Sequence, residues 1–153
     1  MPDGKNHNLI NITVLVIIIS VLYSLSTRAD IVLTMEFLNF QTIFVFSISY
    51  LFGTFFLSPD LDIDSSPYGR WGIFRFLWWP YKVMFKHRGL SHHFIFGPLT
   101  ILANFTLILI PVLLLAGFNV YRVPVEFIAT VVLGIWISIE LHIMADMVVS
   151  EIY

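Results

Sequence analysis

The chain has 153 residues, of which 58% are hydrophobic and only 12% charged, with a net charge of −2 and no cysteine. A soluble domain carries about a quarter charged residues, so this chain cannot cover its own surface in water and points to a membrane. The missing cysteines exclude disulfides, a thiolate metal site and a cysteine nucleophile, which leaves imidazole and carboxylate as metal ligands.

Four apolar stretches follow one another at residues 8–26, 37–57, 99–117 and 125–146. Each is close to the ~20 residues a helix needs to cross about 30 Å of hydrocarbon. None shows the alternating pattern of a membrane β-strand. The expected fold is therefore all-α: an integral membrane four-helix bundle, a single domain over residues 1–153. The first stretch is longer than a signal-peptide core and is expected to remain as a helix. Thr27-Arg28-Ala29-Asp30, Ser58-Pro59-Asp60 and Gly117-Phe118-Asn119 end the first three stretches, and Pro111 is expected to kink the third helix. Asn11 and Asn104 lie inside apolar stretches, where interhelical hydrogen bonds are their expected role.

Four crossings place both termini and residues 58–98 on one face. That face carries Lys5, Arg70, Arg75, Lys82, Lys86 and Arg88, against Arg28 and Arg122 on the other. The positive-inside rule makes the first face cytoplasmic. Residues 65–86, between the second and third helices, interleave cations with Trp71, Phe74, Phe76, Trp78, Trp79 and Tyr81. This is the pattern of an interfacial anchor, with rings among headgroups and cations on anionic lipid. It also offers a docking surface for a lipid or phosphate-bearing substrate. The lipid bilayer accounts for these cations, so no nucleic-acid partner is expected.

All five histidines (His7, His87, His92, His93 and His142) fall on the first face or in helix turns reaching it. So do Asp60, Asp62, Asp64, Glu140 and Asp146. His7 sits at the mouth of the first helix. The run Asp60-Leu61-Asp62-Ile63-Asp64 spaces carboxylates at alternate positions, which in an extended segment puts all three on one side. In His87-Arg88-Gly89-Leu90-Ser91-His92-His93, Gly89 permits a tight turn that would bring His87 and His92 together, and Arg88 suits a phosphate. His142 and Asp146 are four apart and share a helix face. Glu140 lies deeper, where an ionisable group must be paired or coordinated. His7, Asp60, Asp62, His87, His92, His142 and Asp146 are thus seven candidate metal ligands, more than a closed four-ligand zinc site uses. One or two divalent metal ions are expected, zinc or manganese suiting these donors.

These residues resemble a family. Pro59-Asp60-Leu61-Asp62, His87-Arg88-Gly89-Leu90-Ser91-His92 and His142-Ile143-Met144-Ala145-Asp146 are similar to the motifs of the bacterial membrane-bound metal-dependent hydrolases. Gly4-Lys5-Asn6-His7, and the stretch from Ser58 to Arg70-Trp71-Gly72, resemble a related group of metal-binding membrane proteins. The resemblance runs in order along nearly the whole chain and implies a bacterial-type inner or internal membrane. The chain departs from the pattern at Ser91, where threonine is usual. It departs again at Ile63, where many relatives carry a histidine; His93 or Asp64 would then substitute as ligand.

The expected activity is that of a metal-dependent hydrolase at the cytoplasmic membrane surface, acting on a phosphate ester or lipid headgroup. Arg88 would neutralise a phosphoryl oxygen, and Glu140 or Asp64 would orient the attacking water. The alternative is a non-catalytic metal clamp in an assembly factor or small subunit of a larger membrane complex.

Overall fold

A computed structural model describes residues 4–28, 38–85 and 89–152. The described residues are helical throughout, with no strand among them. Six α-helices are defined among the described residues: α1 (Gly4–Ser26), α2 (Phe40–Phe56), α3 (Ser66–Arg70), α4 (Trp79–Met84), α5 (Phe96–Leu115) and α6 (Val125–Ile152). Four of them, α1, α2, α5 and α6, are long and apolar enough to cross a membrane.

The helix ends depart from the sequence reading for local reasons. Helix α1 begins at Gly4 rather than at residue 8, because nothing in Lys5-Asn6-His7 breaks a helix. His7 is therefore a helical residue one turn before Asn11. Helix α2 starts after Asn39, whose side chain accepts from the backbone N–H of Gln41 and Thr42 in a capping box. Helix α5 starts at Phe96, with Pro98 in its first turn, where no helical N–H is lost. It continues through Pro111 to Leu115. Gly117, at φ 73°, then allows Phe118 N–H to bond Leu113 C=O and Gly117 N–H to bond Leu114 C=O. That pair of bonds is a Schellman stop, and it needs a residue that adopts positive φ readily. Helix α6 runs past Asp146 to Ile152.

Helices α2 and α6 make the most extensive contact in the molecule, and α1 leans on both. Close approach is possible because Gly53 and Gly134 face the opposite helix: a Cβ at Gly134 would stand 2.8 Å from the Phe46 carbonyl oxygen. A buried polar clasp ties the three helices together. Tyr50 donates its hydroxyl hydrogen to the Asn11 carbonyl at 3.0 Å, and Asn11 Nδ2 donates to the Ser138 carbonyl at 3.4 Å. Asn11 has the interhelical role expected of it. For Asn104, the side-chain Nδ2 is buried with no hydrogen-bond partner among the described residues.

Residues 65–85 fold as α3, a 3₁₀ stretch Gly72–Trp78 and α4, lying across the end of the bundle. Trp78 and Tyr81 are fully buried against Leu57, Leu61, Ile101, Ile139 and Ile143. Ile73, Phe74, Phe76, Trp79, Val83 and Met84 point outward and are exposed. The segment thus caps the bundle with one set of rings and presents a second apolar set with Arg70, Arg75 and Lys82.

Candidate metal centre

Asp60 and Asp62 follow α2 in a 3₁₀ turn, Pro59–Asp62. Pro59 pre-sets the first turn residue, and Ser58 Oγ accepts from Asp60 N–H at 3.2 Å. This corrects the expectation of an extended segment with three carboxylates on one side. With three residues per turn, positions two apart diverge by more than a right angle, and the three carboxylates part company. Asp60 turns inward to His92 and His142. Asp62 is buried and accepts from Ser91 Oγ at 2.7 Å. Asp64 is exposed and pairs with Lys82 at 2.7 Å.

His92 comes from a second 3₁₀ turn, Leu90–His92, which packs against the start of α5. His142 and Asp146 come from one face of α6. Together Asp60, His92, His142 and Asp146 present ligand atoms that all lie within 4.8 Å of one another. His92 Nε2 stands 3.5 Å from Asp60 Oδ1 and 3.3 Å from Asp146 Oδ2. His142 Nε2 stands 3.2 Å from Asp60 Oδ2 and 3.9 Å from Asp146 Oδ2.

The donor set fits a divalent cation. His142 Nε2 is sealed from solvent and meets Asp60 without the alignment of a hydrogen bond. Misaligned contacts of this kind arise when two ligands aim at a common point rather than at each other. Two imidazoles with two carboxylates suit zinc or manganese. His142 Nδ1 lies 3.5 Å from Ser58 Oγ and His92 Nδ1 lies 3.2 Å from Ser91 Oγ, so each ring has its outer nitrogen on a hydroxyl. Burial alone would lower the His92 pKa. The carboxylates of Asp146 and Asp60 beside Nε2, with the charge of Asp62, outweigh burial and push it up to about 9. Four donors crowded this closely bind a proton avidly in the absence of a cation.

The other sequence candidates lie elsewhere. His7 stands behind Asp146, its Nε2 3.1 Å from Oδ1, and outside the four-residue group. Both Glu140 oxygens are buried. Glu140 precedes His142 by two residues, which on an α-helix sends it to the far side from the cluster. Asp64, paired with Lys82 at the surface, is equally remote from a role in orienting water. His93 uses Nδ1 to accept from the backbone N–H of Ile95 and Phe96, capping α5. His87 and Arg88 lie outside the described residues. Sequence reasoning missed the roles of Ser58 and Ser91. Their adjacency to Asp60 and His92 is the only signal it could have used.

One family accounts for most of the chain. A family described as "Uncharacterized metal-binding protein (DUF2227)" matches residues 2–128. The chain belongs to this family of metal-binding proteins. Its description carries metal binding and no hydrolase activity. The matched range takes in His7, Asp60 and His92 and ends before His142 and Asp146. A protein of Aquifex aeolicus (strain VF5), described as "Uncharacterized protein", is 56% identical over 48 residues, 31% of this chain. The match spans 34% of that relative's own length. No solved structure matches the chain.

Proposed function

We propose that this is a membrane-embedded metal protein in which Asp60, His92, His142 and Asp146 hold one divalent cation, and that the centre hydrolyses a phosphate ester at the membrane surface. The convergence of four ligand atoms from three separate segments carries the reading. Membrane insertion is supported by four helices of sufficient length and hydropathy. The positive-inside balance makes the metal-bearing face cytoplasmic.

A divalent cation held there would polarise a phosphoryl oxygen and make water a better nucleophile. The protein's own residues do the rest. His92, His142 and Asp146 are largely shielded from solvent, whereas the Asp60 side chain is 21% exposed. Asp60 therefore marks the side of the site from which an incoming water would reach the cation. His7 fixes Asp146 from behind. The exposed rings and cations of residues 70–84 would hold an amphiphilic phosphate ester at the depth of the site.

The test uses the full chain in detergent. Metal content is measured, and turnover of a chromogenic phosphodiester and of a phospholipid is followed in wild type and His142→Ala. Stoichiometric metal with turnover, both lost in the variant, supports the reading. Stoichiometric metal with no turnover defeats the hydrolytic part.

A second reading rests on a different observation. The four ligands come from three segments, and His7 of α1 grips one of them, so a bound cation would tie all four long helices at one end. A non-catalytic clamp in a subunit or assembly factor of a larger membrane complex would need only this. Co-purification with such a complex, with metal and without turnover, favours it.

A further inference from the structure

Asp62 is buried beside the centre but is not one of the four converging ligands. One of its partners is Ser91, which is completely buried. Ser91 Oγ lies 2.7 Å from Asp62 Oδ2 and 3.2 Å from His92 Nδ1. Ser91 donates in the bond to Asp62, so its single hydroxyl hydrogen is committed there. Toward His92, Ser91 can then only accept. His92 must carry a proton on Nδ1, so a cation that displaces the other proton is bound through Nε2, between Asp60 and Asp146.

We propose that Asp62 and Ser91 are positioning residues that fix the tautomer and ring angle of His92, through the chain Asp62–Ser91–His92, for binding of a divalent cation through Nε2. This rests on the metal-centre reading above and reassigns Asp62 from ligand to support. The backbone around Ser91 leaves the hydroxyl little freedom: a Cβ at Gly97 would stand 2.5 Å from the Ser91 carbonyl oxygen, so the turn is pressed onto the first turn of α5. Partners that orient a ligating histidine through its other nitrogen are worth roughly 10- to 100-fold in metal affinity. The mechanism is general; its bearer here is a serine and not the carboxylate itself.

The experiment measures zinc and manganese affinity of the full chain in detergent, with chelator-buffered metal, for wild type, Ser91→Ala, Ser91→Thr and Asp62→Asn. Ser91→Ala is expected to weaken binding roughly 10- to 100-fold with unchanged stoichiometry, and Ser91→Thr, which keeps the hydroxyl, to restore most of it. Asp62→Asn can donate to Ser91 and turn its hydrogen toward His92, so it should weaken binding like Ser91→Ala. Wild-type affinity in Ser91→Ala overturns the proposal, as does loss of one whole metal equivalent in Asp62→Asn. A second readout is the ¹⁵N shifts of the His92 ring in the zinc-loaded protein, which should show zinc on Nε2 and the proton on Nδ1. Zinc on Nδ1 defeats the relay even though the protein binds metal, whereas a wild-type chain that binds neither metal defeats the metal reading.

Discussion

The ring of His7 lies flat on the ring of His142, with centroids 4.0 Å apart and planes 15° from parallel. His7 also bonds Asp146, which makes it the point where α1 is fastened to the centre. As a residue behind a ligand, His7 should tune the site without being indispensable. His7→Ala is expected to reduce metal affinity about tenfold and keep one equivalent, whereas His142→Ala should lose the metal. Metal analysis after dialysis, with affinity measured by competition, checks both; complete loss in His7→Ala would make His7 a ligand after all.

The metal-free protein should respond to pH through His92. Its folded pKa, about 9, lies above the ordinary value of 6.5. The raised value means that the protonated ring stabilises the fold. That contribution is complete below pH 6.5 and is lost as pH rises through about 9. Cation binding must displace the same proton. Metal affinity should therefore climb by roughly tenfold per pH unit between pH 6.5 and 9, with about one proton released per metal from this residue. Thermal melts of metal-free protein and calorimetry in buffers of different ionisation heat test the two halves; pH-independent affinity over that window would remove His92 from the ligand set.

The long helices were legible because a membrane span leaves a composition signal that no local rule overrides: four apolar runs, each bounded by Gly, Pro or a charged turn. The gathering of histidines and aspartates at one end followed from counting crossings. What sequence could not supply was the path of the chain between Ser58 and Asp64. A 3₁₀ turn and an extended strand demand similar residues there, yet they send Asp60, Asp62 and Asp64 to one place or to three. The direction of Glu140 was not legible for another reason: sequence gives depth along a helix more readily than angle relative to His142. Ser91 reads from sequence only as a mild replacement of threonine that keeps the hydroxyl, because a hydroxyl's role depends on partners 29 residues away in sequence.

The separation of Asp64 from the centre has a direct consequence. Its carboxylate is 84% exposed and held by Lys82, whose ammonium also lies 4.8 Å from the centre of the Tyr68 ring. An exposed pair of this kind is worth little, typically below about 1 kcal/mol. Asp64→Ala should leave metal content and affinity within about twofold of wild type and shift the melting temperature hardly at all. A tenfold loss of affinity would restore Asp64 as a ligand or a residue orienting water.

The centre also depends on two helices that hold its halves in register. Helix α2 leads into Ser58 and Asp60, α6 carries His142 and Asp146, and the two touch where neither has room for a side chain. At Gly134 a Cβ would meet the Phe46 carbonyl oxygen at 2.8 Å and Tyr50 N at 3.1 Å, both backbone atoms that cannot rotate away. Gly134→Ala must therefore push the helices apart. Overpacking of this sort costs roughly 1–3 kcal/mol. Moving α2 against α6 also separates Asp60 from His142, so metal affinity should fall with stability even though Gly134 is two helical turns from the nearest ligand. Gly69→Ala is the control, since a Cβ there meets nothing within 4 Å. Melting temperature and metal affinity should drop together in Gly134→Ala and stay unchanged in Gly69→Ala. A Gly134→Ala protein with lowered stability but undisturbed affinity would show that the ligand geometry is set by the Ser58–Asp62 turn alone.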